Sequence, residues 1–272
     1  MFELAPHGPD TYVGQGPRYP WGGLYGGQIV AQALRAARST VDESFEAHSI
    51  RAYFIRRGDH TEPVRYEVDR IRNGRTFVTR RVVARQAVGA ILNAECSFQL
   101  PEPAADVQTV TMPNVPAPDE LESSSWAASF SRCFVPDHAA PPPAPTAGQA
   151  PAGRVLAWMK VDAEIGDAAD RGHRSLHQSW LAFLSDDLPT DSVRSSHPVA
   201  RHESEHFFGT SLDHTIWFHR PMRADRWHLH DFSCHHFVGA RGLSIGHVFD
   251  LEGLHVATIA QEVLLRDRRA QR

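Results

Sequence analysis

The sequence has little cysteine and no long apolar run, and these shortages exclude several classes of protein. Three cysteines, Cys96, Cys133 and Cys234, are spread over 272 residues. An odd number of widely spaced thiols argues against a disulfide framework and fits a reducing compartment. No apolar stretch approaches the length of a membrane-spanning helix, and the first residues lack the basic start and apolar core of a signal peptide. We therefore expect a cytoplasmic protein without membrane insertion.

The sequence also lacks an excess of positive charge. Its formal net charge is −4, and 22% of its residues are charged. These values give no general reason to expect nucleic acid or an anionic membrane as a partner. The length allows one large domain or two smaller ones.

A Pro/Ala-rich stretch divides the chain into two halves of similar pattern. Residues 101–153 contain many prolines, and we interpret them as a connector because proline interrupts helices and sheets. Each half, 1–100 and 154–272, reads as a helix followed by about four strands of antiparallel type. Asn73 and Gly74, for example, mark the turn of a long hairpin. The pattern predicts an α+β duplication in which each sheet covers a helix.

The glycine-rich stretch "YPWGGLYGGQIVAQALRAA" poses the question of a phosphate site, because it leads directly into a predicted helix. No strand precedes Gly22 in a βαβ pattern, and the Lys-Ser or Lys-Thr pair of a P-loop is absent. Glycines at a helix start also permit close packing against a neighbouring sheet. We interpret Gly26 and Gly27 as the beginning of a closely packed helix, not as a nucleotide loop.

The 17 histidines raise the possibility of a metal site. His202 and His206 stand four residues apart in "HESEH", a spacing that binds zinc when it lies on a helix. The segment has no helical apolar stripe, and no motif fixes a third ligand, so we expect no metal. In "WHLHDFSCHHF", His228 and His230 alternate with apolar residues, which predicts an exposed strand face.

Eight stretches together resemble the acyl-CoA thioesterase II family, in the family's order and over nearly the whole chain. They are "GGQIVAQAL", "HSIRAYFIRRGD", "NGRTFVTRRVVARQ", "MPNVPAPDEL", "LSDDL", "SLDHTIWFHRP", "ARGLSIGHVFD" and "VATIAQEVLLR". The resemblance implies a double hotdog fold, with two tandem units that each wrap an antiparallel sheet around a central helix. It also implies hydrolysis of a fatty acyl-CoA to fatty acid and CoA, with the catalytic residues in the second hotdog.

The resemblance carries three catalytic residues onto this sequence. The family's carboxylate falls on Asp186 in "FLSDDLP", predicted to lie late in a helix that Pro189 ends, although the adjacent Asp187 leaves a one-residue ambiguity. The hydroxyl falls on Ser211, where the family often has threonine, and the amide falls on Gln261. Asp186 has the chemistry of a base or a nucleophile, whereas Ser211 and Gln261 suit the orientation of a water molecule.

Further residues are candidates for substrate binding. In hotdog folds the helix N-terminus lies near the thioester, so Gly26 and Gly27 are candidate oxyanion donors. Arg56 and Arg220, with Arg57 and Arg223 beside them, lie near the ends of two similar strands and suit CoA phosphates. We expect no metal or redox cofactor, since CoA is part of the substrate, and we expect a homo-oligomer.

Three alternatives remain open. One is a non-catalytic acyl-CoA-binding protein on the same fold, against which the retained Asp186, Ser211 and Gln261 argue. A second is an enoyl-CoA hydratase, but its Asp-x-Asn-Pro-x-His arrangement is absent. The third is a zinc hydrolase built on His202 and His206.

Overall fold

The computed structural model describes residues 1–141 and 153–271, and within them it contains many antiparallel strands and few helices. The strands are β1 (Leu4–Pro6), β2 (Thr11–Gly14), β3 (Glu46–Phe54), β4 (Val64–Asn73), β5 (Phe77–Gln86), β6 (Gly89–Gln99), β7 (Ser123–Ser124), β8 (Phe130–Phe134), β9 (Arg154–Val161), β10 (Phe207–Ser211), β11 (Asp213–Phe218), β12 (His228–Val238), β13 (Arg241–Phe249) and β14 (His255–Asp267). The α-helices of the two described ranges are α1 (Gly26–Arg38), α2 (Arg171–Leu184) and α3 (Pro189–Ser196). No helix in these ranges has the length and apolar character needed to cross a membrane.

The chain forms two compact units, each assembled from segments that are separated in sequence. Unit 1 contains Met1–Val107, Ile165–Asp186 and Asp213–Arg223, and unit 2 contains Gln108–Glu164, Asp187–Leu212 and Ala224–Arg272. The division predicted from the sequence, with boundaries at 100 and 153, is contiguous along the chain and does not follow this interleaving. In particular, the second half of the chain contributes α2 and β11 to unit 1. The pattern of neighbouring residues does not show that α2 and β11 belong to unit 1, because these two elements lie far in sequence from residues 1–107.

Unit 1 is an antiparallel sheet with α1 packed on it. The strand order is β1-β2-β4-β5-β6-β3-β11, and every neighbouring pair is antiparallel. The predicted hairpin is confirmed, since Asn73 pairs with Val78 and the Gly74 N–H donates to the Phe77 carbonyl at 2.9 Å. Ile29 and Leu34 are among the α1 residues that are buried. The apolar spacing that predicts α1 therefore also explains its place in the core.

Unit 2 is a second antiparallel sheet, with order β14-β13-β12-β9-β8-β7 and β10 paired to β14. Leu229, Trp158 and Phe249 belong to one buried cluster, which residues of 110–121 cover. A second cluster contains Val193 of α3 and Val263 of β14. The sheet of unit 2 is therefore apolar on both faces.

The predicted connector at 101–153 is wrong for part of its length. It contains β7 and β8, and β8 pairs with β9 along five residues. Phe130 and Cys133 of β8 are buried. The sequence did not indicate this strand because the short run of β-forming residues lies in a proline-rich stretch. The part of the connector at 142–152 lies outside the described residues.

Candidate active site

Asp186 lies between two helices and not within one. Helix α2 ends at Leu184, Ser185 caps it, and Pro189 is the first residue of α3. Proline is favoured at the first helical position because its missing N–H would have no partner there. The prediction that Asp186 lies on α2, and that Pro189 only ends that helix, is therefore wrong. The side chain of Asp186 is largely buried.

The Asp186 carboxylate lies at the N-terminal end of α1. A Cβ atom built on Gly26, the first residue of α1, would lie 2.5 Å from Oδ2 of Asp186 and 2.9 Å from Cζ of Phe54. Both distances are shorter than non-bonded atoms tolerate, so the carboxylate fills space that only a glycine leaves open. The N-terminal end of a helix also favours negative charge. The first turn of α1 has no acidic residue of its own.

Gly27 is needed for a different contact. A Cβ atom on Gly27 would lie 2.3 Å from the carbonyl oxygen of Phe183 in α2, and the hydroxyl of Tyr25 donates to the same carbonyl at 2.8 Å. Gly27 therefore brings α1 close to α2, whereas the sequence predicted close packing against a sheet. The predicted close packing is confirmed, but Gly27 packs against α2 and not against a sheet.

Asp187 has a different environment from its neighbour. Its carboxylate forms an ion pair with Arg132 and accepts a hydrogen bond of 2.6 Å from Nε1 of Trp126. The side chain is 8% exposed. This carboxylate is therefore held by structural partners. Both partners lie in the stretch interpreted as a connector, where the β-forming run "FSRCF" was the signal that could have identified Arg132.

The structure brings Ser211 and Gln261 together in unit 2. Ser211 ends β10, which pairs with β14 so that Ser211 lies opposite Val263. Nε2 of Gln261 donates to Oγ of Ser211 at 2.7 Å, and the side chain of Gln261 is fully buried. A hydroxyl that accepts this bond still carries its own proton and can donate it. Asp186 belongs to unit 1, of which it is the last residue before the chain passes to unit 2.

The two arginines proposed for substrate binding both lie in unit 1 and have protein partners. Nη1 of Arg56 donates to the Ala90 carbonyl at 2.9 Å. Nε of Arg220 donates to Oδ2 of Asp106 at 2.9 Å. The Arg220 guanidinium lowers the pKa of the Asp106 carboxyl. These contacts fix the direction of each guanidinium.

The zinc alternative lacks the helix that its spacing requires. Ser204–His206 forms a short 3₁₀ turn, so His202 and His206 do not share one face of an α-helix. Nε2 of His206 lies 3.4 Å from Oε1 of the neighbouring Glu205. Within 1–141 and 153–271, no group of three or more His, Cys, Asp or Glu side chains is arranged to hold a metal ion.

The predicted exposure of His228 and His230 is wrong, because both are buried. They lie on β12, which has β13 on one side and β9 on the other, and both faces of this central strand are covered. In the described part of the chain, neither ring nitrogen of His230 has a hydrogen-bond partner. Burial lowers the pKa of His230 to about 3, so this imidazole is neutral near pH 7.

Two family models match the chain in succession. The acyl-CoA thioesterase N-terminal domain matches residues 16–99, and the acyl-CoA thioesterase C-terminal domain matches residues 106–265. Acyl-coenzyme A thioesterase 8 of Mus musculus is 32% identical over 98% of this chain and 88% of its own length. Similarity to these proteins thus extends over almost all of the sequence.

Solved structures give the same result for the fold. The acyl-CoA thioesterase II TesB2 from Mycobacterium marinum is 33% identical, with a TM-score of 0.84 over 98% of this chain and 95% of that chain. A conserved protein with a hotdog fold from Alicyclobacillus acidocaldarius has a TM-score of 0.75 at 19% identity, and the match covers 97% of this chain and 96% of that chain. The second similarity shows the hotdog fold alone.

Proposed function

Since the chain belongs to the acyl-CoA thioesterase II family and is a thioester hydrolase, we propose that it hydrolyses fatty acyl-CoA to free fatty acid and CoA with Asp186, Ser211 and Gln261 as its catalytic residues. The observation that carries the assignment is the position of the Asp186 carboxylate at the first residue of α1. A helix start favours both a carboxylate and an oxyanion. The adjacent Asp187 is instead held by Arg132 and Trp126.

In the proposed reaction, Asp186 removes a proton from a water molecule that Ser211 and Gln261 orient. The hydroxide oxygen forms a bond to the thioester carbonyl carbon, and the negative charge moves to the carbonyl oxygen. N–H groups of Gly26 and Gly27 are the proposed donors to that oxygen. Collapse of the tetrahedral intermediate breaks the C–S bond, and the proton on Asp186 passes to the departing CoA thiolate. The products are a fatty acid and CoA, so the step balances without a cofactor.

The hydrogen bond from Gln261 to Ser211 supports a positioning role for this pair. The Gln261 amide is fully buried and donates to the Ser211 oxygen at 2.7 Å, so the hydroxyl is held in one place. Neither side chain is a strong base at neutral pH, whereas a carboxylate can act as one.

Further proposals come from the family resemblance and from the sequence itself. We propose that the chain forms a double hotdog and that Arg56 and Arg220 contact the CoA phosphates. The reaction requires no metal or redox cofactor, and the protein is a cytoplasmic homo-oligomer. Light scattering after size-exclusion chromatography measures the oligomeric state, and activity after treatment with a chelator tests the need for a metal.

The direct test is release of free thiol from a series of acyl-CoAs of increasing chain length. We expect turnover, with a preference for one range of chain lengths. Tight binding of acyl-CoA without any thiol release would instead support the alternative of a non-catalytic acyl-CoA-binding protein.

Isotope labelling tests for a nucleophilic role of Asp186. In a single turnover in water labelled with oxygen-18, attack by an activated water molecule puts the label into the fatty acid. Direct attack by Asp186 forms an anhydride. When water then attacks the aspartyl carbonyl of that anhydride, the label enters the enzyme. Mass spectrometry of the peptide that contains Asp186 is expected to show no label.

A further inference from the structure

The loop that leads into α1 presents an indole ring in a fixed orientation. Trp21 is 45% exposed. Its ring stacks on Tyr19 with centroids 5.1 Å apart and an interplanar angle of 13°, and it meets Tyr25 edge-on at 6.0 Å. An indole that two neighbouring rings hold in place and that is 45% exposed offers a rigid surface for a ligand ring.

The rings beneath Trp21 are themselves anchored. The Tyr19 hydroxyl donates to Oε1 of Gln28 at 2.6 Å, and the Tyr19 N–H donates to Nδ1 of His60 at 2.7 Å. The Tyr25 hydroxyl is bound to the Phe183 carbonyl. Because these supports are ordered before any ligand arrives, stacking on Trp21 immobilises few additional groups.

A guanidinium lies beside the same loop. Nη2 of Arg57 donates to the Trp21 carbonyl at 2.8 Å. A Cβ atom on Gly23 would lie 2.6 Å from Nε of Arg57, so the absence of a side chain at this position makes room for the arginine. Arg57 is exposed. A guanidinium has five N–H donors in a planar fork that fits phosphate.

We propose that Trp21 and Arg57 form the binding subsite for the nucleotide portion of CoA, with the adenine stacked on the indole and a phosphate on the guanidinium. This inference rests on the proposed function. An aromatic face beside a cation matches a nucleotide, which has a base and phosphates. It does not match the pantetheine arm or the acyl chain, because neither of them has a base or a phosphate. The net charge of −4 provides no general attraction for CoA, so a local cation is required.

The position of the subsite agrees with the proposed chemistry. Trp21 and Arg57 adjoin the loop that ends at Gly26, where the Asp186 carboxylate lies. In this proposal the flexible pantetheine arm joins the nucleotide at Trp21 and Arg57 to the thioester at the start of α1.

Two substrates with the same acyl group test the subsite: the acyl-CoA and the corresponding S-acyl-pantetheine, which lacks the nucleotide. The measured quantity is the ratio of KM for acyl-CoA to KM for acyl-pantetheine. We expect Trp21→Ala to raise this ratio about tenfold, the effect of losing one base–aromatic stack, while Trp21→Phe keeps it within about threefold of wild type. Arg57→Ala is expected to raise the ratio as well.

The control variants lie at the other end of α1. Arg80 donates both to the Thr40 carbonyl just after α1 and to the Arg72 carbonyl, each at 3.0 Å, which places the β4–β5 turn there. Ile71→Ala and Arg75→Ala change exposed residues at this turn and are expected to leave the ratio at the wild-type value.

The outcomes separate this inference from the proposed function. An unchanged ratio in both Trp21→Ala and Arg57→Ala overturns the subsite while hydrolysis by wild type still stands. Hydrolysis of neither substrate by wild type overturns the proposed function. In that case calorimetric titration with free CoA still tests the subsite, because Trp21→Ala is then expected to weaken CoA binding about tenfold, and equal affinity would overturn it.

Discussion

The Asp186 carboxylate occupies the space that a side chain at Gly26 would need, since a Cβ atom there would lie 2.5 Å from Oδ2 of Asp186. The first residue of α1 and the proposed base therefore depend on each other, although 160 positions separate them in the sequence (186 − 26). A side chain at Gly26 would therefore displace the Asp186 carboxylate.

Gly26→Ala is expected to lower kcat/KM about 100-fold, because a displacement of about 1 Å at a catalytic group has an effect of this size. Gly172→Ala is the matched control, since Gly172 is the second residue of α2 in the same unit and its Cβ would approach only the exposed Asp170 carboxylate, at 3.2 Å. Thiol release at saturating and limiting substrate measures both variants. Equal activity of the two would contradict the importance of the Gly26–Asp186 contact.

Ser211→Ala removes the acceptor of a buried amide. The Gln261 Nε2–Ser211 Oγ bond of 2.7 Å is lost, so we expect unfolding free energy to fall by about 1–3 kcal/mol. Activity is expected to fall roughly 100-fold if the hydroxyl orients the water, an effect comparable to loss of one transition-state hydrogen bond. Ser211→Thr retains the hydroxyl and is expected to keep most activity. Loss of stability without loss of activity would assign the pair a purely structural role.

Asp187→Asn distinguishes a structural carboxylate from a catalytic one. Asparagine still accepts from Trp126 but loses the charge that pairs with Arg132, so we expect a loss of about 3 kcal/mol in unfolding free energy. The folded variant is expected to keep its activity. Denaturant titration of Asp187→Asn, Arg132→Met and the double variant measures the coupling, and additive effects would contradict an energetic role for the ion pair.

Because His230 is buried, we expect the free energy of unfolding to fall in acid. Burial lowers its pKa from 6.5 to about 3, so between these values the unfolded chain binds a proton that the folded chain does not, and stability falls as the pH falls through this window. Between pH 7.5 and pH 5 the loss from this group is about 2 kcal/mol. Urea titrations at both pH values are expected to show that His230→Leu lacks this part of the wild-type decrease. An identical decrease in both proteins would contradict the burial argument.

The sequence predicted those features of the fold that local pattern determines. The helical spacing of Ile29 and Leu34 and the turn at Asn73 and Gly74 gave α1 and the β4–β5 hairpin, and both are confirmed. Burial of His230 was missed because alternation along a strand does not show whether its second face is covered. The strand at Phe130–Phe134 was missed because its partner β9 begins 20 residues later, at Arg154.

The site depends even more on contacts that are distant in sequence. The resemblance placed the family's carboxylate on Asp186 and left the adjacent Asp187 as a one-residue ambiguity. In the structure the two carboxylates have different surroundings, with Gly26 next to Asp186 and with Arg132 and Trp126 next to Asp187. These partners lie more than 50 positions away from the Asp pair.

The central claim is that the Asp186 carboxylate performs the hydrolysis, and thiol release by wild type, Asp186→Asn and Asp187→Asn in parallel tests it most directly. Circular dichroism establishes that each variant is folded. We expect wild type and Asp187→Asn to turn over acyl-CoA and Asp186→Asn to lose at least about 1,000-fold in kcat, since an amide cannot accept the proton from water. Full activity of Asp186→Asn would contradict the account and assign the chemistry to another residue.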